Sequence, residues 1–302
     1  TLLRQVAPTL QGNGIRAGQA EGAENGIVGE FEVDPSTVNQ PTNLFTWISS
    51  VGTANMFPNG VGTMSYHAGG VGNHLSGLNT GVTPQVAHVD NYDADYFFNH
   101  YIDGALPISE RLVNQSFVFA NGDGSHLSTN DEQSIDASYD DYAIQYGVLF
   151  VSGAGNGGPI YPAASSYNGI GVGVYPGSSS FGTTSDGRSK PDIVSPGTGI
   201  TSFSTPDACG SVALLLQAAL RGDGGANTNA ASDNRTLKAL ILNGAIKTLD
   251  WTNGVATPLD ARYGAGVLNV FNSWSQLRGG KNPFIESTSV TGGSAHPPGG
   301  NA

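Results

Sequence analysis

The chain has 302 residues, 38% of them apolar and only 12% charged, with 44 glycines and a net charge of −12. That is ample for a sizeable core in one unit. The glycines follow no three-residue period, which excludes collagen, and so acidic a chain repels phosphate backbones, which argues against a nucleic-acid partner. No stretch reaches the roughly 18 apolar residues of a membrane-spanning helix. No basic, then apolar, leader follows Thr1, so no signal peptide is visible. The single cysteine, Cys209, lies in an apolar run and reads as a small core residue.

In chain order, residues 14–20 read as a short strand, and residues 67–77 as a helix opening on His67-Ala-Gly-Gly-Val-Gly-Asn73. The acidic run Asp90-Asn-Tyr-Asp93-Ala-Asp95 reads as a solvated surface; it lacks the spacing of a calcium loop, and no metal or other cofactor is expected. Residues 113–119 alternate and read as a strand. A helix is expected over 131–146, with acidic residues at the end where the dipole favours them. Residues 147–152 form a continuous apolar run of strand length, followed by the small-residue loop Gly153-Ala-Gly-Asn-Gly-Gly158. Residues 170–175 read as a further buried strand. Residues 207–220 are apolar almost all round, the mark of a buried helix, and 235–247 read as another helix. Residues 280–302, rich in Gly, Pro, Ser and Thr, read as a flexible tail or linker after a body spanning 1–279. Strands alternating with helices predict an α/β fold, a mostly parallel central sheet with helices on both faces. Ligands of such sheets bind beyond the carboxyl ends of the strands.

Three residues follow strands or open helices where chemistry would be placed. Of the six histidines (His67, His74, His88, His100, His126 and His296), His67 stands out because it opens a helix of small residues that lets substrate backbone approach. His74 comes seven residues later, which is not the spacing of a two-histidine metal site. Ser202, in Gly199-Ile-Thr-Ser-Phe-Ser-Thr-Pro206, precedes the buried helix and reads either as a cap or as a nucleophile beside free amides. Asn156 reads either as a turn residue or as a donor to an oxyanion.

Taken together and in this order, the segments resemble the subtilase family of serine peptidases, from about Gly12 to Leu277. Gly12-Asn-Gly-Ile-Arg-Ala-Gly-Gln-Ala-Glu21 looks like the strand leading to the family's catalytic acid, and His67-Ala-Gly-Gly-Val-Gly like its histidine helix. Gly81-Val-Thr-Pro84, Val113-Asn-Gln-Ser-Phe117, Gly153-Ala-Gly-Asn156, Tyr161-Pro-Ala163 and Lys190-Pro-Asp-Ile-Val-Ser-Pro-Gly197 are similar to family segments. So are Thr201-Ser-Phe-Ser-Thr-Pro206, around the nucleophile, and Tyr263-Gly-Ala-Gly-Val-Leu-Asn269 near the end. The resemblance implies a subtilisin-like three-layer fold and a secreted endopeptidase acting on polypeptides. It implies Ser202 as nucleophile, His67 as general base, Glu21 as the orienting acid, and Asn156 with the Ser202 amide as oxyanion donors.

The chain departs from the family pattern in five places. Glu21 stands where the family has aspartate, which leaves Glu24 and Asp34 as alternative acids. Ile200 replaces a glycine. The link from Gly197 to Thr201 is short, which makes Ser204 a second candidate nucleophile. Gly70 replaces the second histidine of a family run, and Pro206 is followed by Asp207, expected in the first helical turn. These departures motivate an alternative, a catalytically impaired domain serving as a binding or structural module. A serine-carboxyl peptidase of the sedolisin type is a third reading, suggested by Glu21. Phe117 and Phe119 read equally as pocket or core.

Overall fold

The computed structural model describes residues 2–279, apart from 185, 198 and 255–257; the tail expected over 280–302 lies outside the described residues. Eight strands form one sheet: β1 (Arg16–Glu21), β2 (Phe45–Ser49), β3 (Gly52–Ala54), β4 (His88–Asp93), β5 (Leu112–Gln115), β6 (Leu149–Gly153), β7 (Ile170–Tyr175) and β8 (Ile193–Pro196). Their order is β8-β7-β6-β5-β1-β4-β2-β3, parallel throughout except for the β2–β3 pair.

Successive side chains on a strand point to opposite faces, and β6 shows what that does here. Leu149 and Val151 enter one core while Phe150 enters the other. The first core joins Ala17 and Val89 of the sheet to helices α1 (Tyr66–Leu75), α3 (Thr201–Leu220), α4 (Asn234–Asn243) and α5 (Val270–Gly279). The second joins Ala20, Tyr92 and Val113 to helix α2 (Thr129–Tyr146) and to a wide π-type turn at Phe97–Ile102. The result is the expected three-layer α/β architecture with a mostly parallel sheet. Cys209 is fully buried within α3, and burial alone pushes its thiol pKa up, so it is an apolar filler rather than a reactive group.

Several boundaries differ from the sequence reading. The strand expected over 113–119 ends at Gln115, and residues 116–119 leave the ladder to line a cleft. The helix expected from 207 begins at Thr201, so Ser202 lies inside its first turn instead of ahead of it, and Asp207 falls in the second turn. The acidic run expected as a solvated surface is one only at its end, where Asp95 is exposed. Residues 90–93 belong to β4, in the middle of the sheet, and Asp90 is 1% exposed in a bidentate pair with Arg16, whose Nη2 is 2.6 Å from Oδ1. Asp93 ends that strand and accepts from the Tyr96 amide.

Beside Asp90 sits Glu110, 1% exposed, with the Tyr92 hydroxyl donating to its Oε1 at 2.6 Å. Burial and the neighbouring Asp90 push its pKa up to about 8. A raised acid pKa means that the folded chain holds this proton more tightly than the unfolded one. The stabilisation is therefore complete below pH ~4.3 and is lost as pH rises towards 8. Glu110→Gln, which mimics the protonated acid, is expected to lose this dependence. Its Tm relative to wild type should rise between pH 5 and 8, by about 2–4 °C per kcal/mol of ionisation cost. Parallel melting curves across that range for both proteins would refute the assignment.

Candidate active site

The crossing of the chain from one half of the sheet to the other occurs at β1, whose neighbours are β4 and β5. Open parallel sheets bind ligands at such a point, beyond the strand carboxyl ends. Glu21 is the last residue of β1, Ser116 follows β5, and Asn156 comes three residues after the end of β6.

Glu21 is fully buried, and both its oxygens are engaged. Oε2 lies 2.9 Å from His67 Nδ1, and Oε1 accepts from Gln19 Nε2 at 2.9 Å. Gln19 donates its other hydrogen to the Ala68 carbonyl at 3.0 Å, which ties strand, carboxylate and helix together. Helix α1 begins at Tyr66 because Ser65 caps it, accepting from the Ala68 amide. Glu24 reinforces that end: its Oε2 accepts from the Ser65 hydroxyl at 2.7 Å and from the His67 amide at 3.0 Å. A carboxylate is favoured at a helix N-terminus. The two acids thus divide between them the ring and the backbone of His67. Burial penalises the imidazolium, but the Glu21 hydrogen bond and charge and the Glu24 charge outweigh it, so the His67 pKa is raised. Asp34, the other alternative acid, is spent on the amide of Ser36.

Helix α3 starts without a capping side chain of its own, since its N-cap is Ile200 in extended backbone. The cap comes from 45 residues away. Asn156 Oδ1 accepts from the Thr201 amide at 2.8 Å and from the Thr201 hydroxyl at 3.0 Å. A backbone N–H can only donate, so the atom facing it is oxygen. That fixes the amide's orientation and leaves Nδ2 without a partner among the described residues, on a side chain that is exposed. The Ser202 amide, next in the first turn, finds no acceptor among the described residues. Two donors are thus left at one helix end, which suits an anion.

Pro206 explains how this end is fastened. It has no N–H, so the carbonyl four residues earlier, that of Ser202, loses its helical partner. The Ser116 hydroxyl donates to that carbonyl at 2.9 Å and is itself held by Asn114 Nδ2 at 3.0 Å. Ser116 also lines, with His67, a cleft of about 510 Å³ walled by Phe117, Val118, Phe119 and Leu127. Phe203, adjacent to Ser202, packs its ring against His67 with centroids 6.3 Å apart. The Phe203 ring is the contact that ties this segment to His67; no hydrogen bond joins Ser202 Oγ to the His67 ring among the described residues.

The alternative nucleophile fares differently. Ser204 is fully buried and faces Gly197, where any Cβ would meet its hydroxyl, so no substrate reaches it. Phe117 and Phe119 are half-buried and serve both roles: they line the cleft and pack edge-to-face with each other. His88, His100 and His126 contact Thr46, Tyr96 and Glu132 respectively and not the Glu21–His67 pair; His296 lies outside the described residues. The sequence reading missed Gln19, the capping by Glu24, and the Ser116 bond to the Ser202 carbonyl. Pro206 was the visible signal for the last, since a proline inside a helix leaves a carbonyl to be satisfied.

The fold has solved counterparts. A point mutant of the protease domain of PatA superposes with a TM-score of 0.62 at 20% identity, covering 90% of this chain and 98% of that one. The patellamide maturation protease PatA gives 0.59 at 20% identity, covering 89% and 98%. The prenylagaramide maturation protease PagA gives 0.59 at 18% identity, covering 90% and 98%. No curated protein matches the chain in sequence. Residues 99–266, more than half of the chain, match the subtilase family, a segment that contains Ser116, Asn156 and Ser202 but neither Glu21 nor His67. The chain belongs to the subtilase family.

Proposed function

We propose that this chain is a serine endopeptidase in which Ser202, His67 and Glu21 act together. The observation that carries the reading is the 2.9 Å contact between Glu21 Oε2 and His67 Nδ1. With Nδ1 committed to a buried carboxylate, the imidazole presents Nε2 as its free base. Ser202 Oγ adds to the substrate carbonyl carbon while its proton passes to Nε2. The same proton then goes to the leaving amine as the peptide C–N bond breaks, and water repeats the sequence on the acyl-enzyme. Glu21 stabilises the imidazolium formed at each proton transfer. The Ser202 amide and Asn156 Nδ2 receive the oxyanion, a role that a carbonyl-facing turn residue would not leave open. Glutamate in place of aspartate is consistent with this role, since the longer arm spans from the strand end to the ring. PatA and PagA, which share the fold, are proteases by name.

The test is labelling by a fluorophosphonate, which needs an activated serine. Stoichiometric labelling is expected, with the adduct mapped to the peptide containing Ser202. A folded chain that takes no label, or takes it at another serine, overturns the proposal and favours a binding module.

A further inference from the structure

Helix α1 carries His67, Gly70 and His74 along one ridge, at spacings of three and four residues. The Phe203 ring lies across that ridge. It faces His67 at a centroid distance of 6.3 Å with planes 28° apart, and His74 at 5.3 Å with planes 10° apart. Both fall within the offset-stacking range of aromatic pairs. The ring occupies the notch at Gly70, where an added Cβ would come within 2.7 Å of Phe203 Cε1. His74 is held in turn: its Nδ1 lies 3.1 Å from Oδ1 of Asp207, one turn beyond Phe203 on α3. The arrangement runs from one helix to the other and back, and Phe203 is covalently next to Ser202.

From this geometry we infer that Phe203 is a positioning residue for the general base, clamped between two imidazoles in a notch that only glycine at position 70 leaves open. The inference rests on the assignment of His67 as the base. Glu21 and Glu24 fix the Nδ1 edge and the backbone of His67, but a hydrogen bond at one edge leaves the ring free to tilt about it. Phe203 supplies the missing face contact. Because it shares a backbone with Ser202, any shift of the nucleophile carries the ring that steadies the base, and the two partners move together. The His74–Asp207 pair holds the far face of Phe203 so that the ring cannot rotate away. The charged groups packed around the sandwich are Glu21 and Glu24 on the His67 side and Asp207 on the His74 side.

Phe203→Leu and Phe203→Trp test this. Leucine keeps apolar bulk without a ring face, and tryptophan restores a face. Phe203→Leu is expected to lower kcat by about 10–100-fold while KM stays within about twofold, since misplacement affects the chemical step. Phe203→Trp should recover most of that loss. In parallel, the His67 ring resonance and its titration midpoint, followed by NMR in a Ser202→Ala background, should move on Phe203→Leu. That measurement needs no turnover. A wild-type chain that cleaves nothing therefore defeats the peptidase assignment alone, and the resonances still decide the clamp. If Phe203→Leu does not fold, Asp207→Asn takes its place, with kcat expected to fall about twofold to fivefold at unchanged KM. A folded Phe203→Leu with wild-type kcat, an unmoved His67 resonance, or an Asp207→Asn with unchanged kcat each overturns the inference.

Discussion

Ser202→Ala is expected to lower kcat by about 10⁶-fold, and His67→Ala by about the same amount, with the double variant no worse than either. The equality follows from the proposed division of labour. The hydroxyl is a weak nucleophile at its own pKa and gains its power only by losing its proton to the imidazole as it attacks. Removing the imidazole leaves a poor nucleophile, and removing the hydroxyl leaves a base with nothing to activate. Each loss therefore includes the other, and the energies do not add. What remains should be a residual rate of about 10³–10⁴-fold over water, supplied by the oxyanion donors and by binding. In the proposed site those donors are the Ser202 amide and Asn156, and the substitutions leave the Asn156 bonds to Thr201 in place. Steady-state kinetics on a cleavable peptide, with melting temperatures to confirm folding, make the measurement. Additive losses would mean that Ser202 and His67 act in separate steps, and the shared proton path would have to be abandoned.

How much of this was legible in the sequence depended on where each constraint came from. The run 147–152 reads as a strand because β6 is buried on both faces, and two-sided burial writes itself as unbroken apolar sequence. β4 hides because its polar residues are satisfied by distant ones. Asp90 is paired by Arg16, and Asn91 accepts from the Val33 amide at 2.8 Å while donating to the Gln19 carbonyl. Seen locally, such residues are indistinguishable from a solvated surface. The start of α3 was misplaced for the same reason. Local rules look for Ser, Thr, Asp or Asn at the N-cap, whereas here Ile200 holds that position and Asn156 brings the oxygen from another loop. His67 and Glu21 lie 46 residues apart, and no periodicity connects them. Only the order of family-like segments did so, while composition by itself favoured neither a nucleophile over a cap at Ser202 nor a donor over a turn at Asn156. Glu24 shows the limit of that route, because segment order offered it as a rival acid and the structure gives it the helix end instead.

Glu21→Gln should be the next most damaging change, at about 10⁴-fold in kcat. The amide is close in shape and still reaches His67 Nδ1, so the geometry should survive. Its effect is chemical. A carboxylate only accepts, which holds the neutral imidazole with its proton on Nδ1 and leaves Nε2 as the base. Glutamine can instead present its NH₂ to Nδ1 and draw the other tautomer, whose Nε2 carries the proton and cannot accept one from Ser202. The buried negative charge that would offset the developing imidazolium is also lost. Both effects lower the plateau rate, and both disfavour the imidazolium, so they also move the pH dependence in one direction. Burial lowers the His67 pKa, and the Glu21 hydrogen bond and charge, with help from Glu24, currently raise it above the ordinary value. Activity requires the neutral ring, so the acid limb of the wild-type profile should lie above that ordinary value of about 6.5. Without the carboxylate, desolvation prevails and the limb should move to lower pH even as the plateau falls. Glu21→Asp keeps the charge but shortens the arm that now spans 2.9 Å to the ring. It should keep the wild-type limb more nearly in place and lose only about 10–100-fold through poorer positioning. A Glu21→Gln profile that drops without shifting, or a Glu24→Gln variant that loses as much, would take the orienting role away from Glu21.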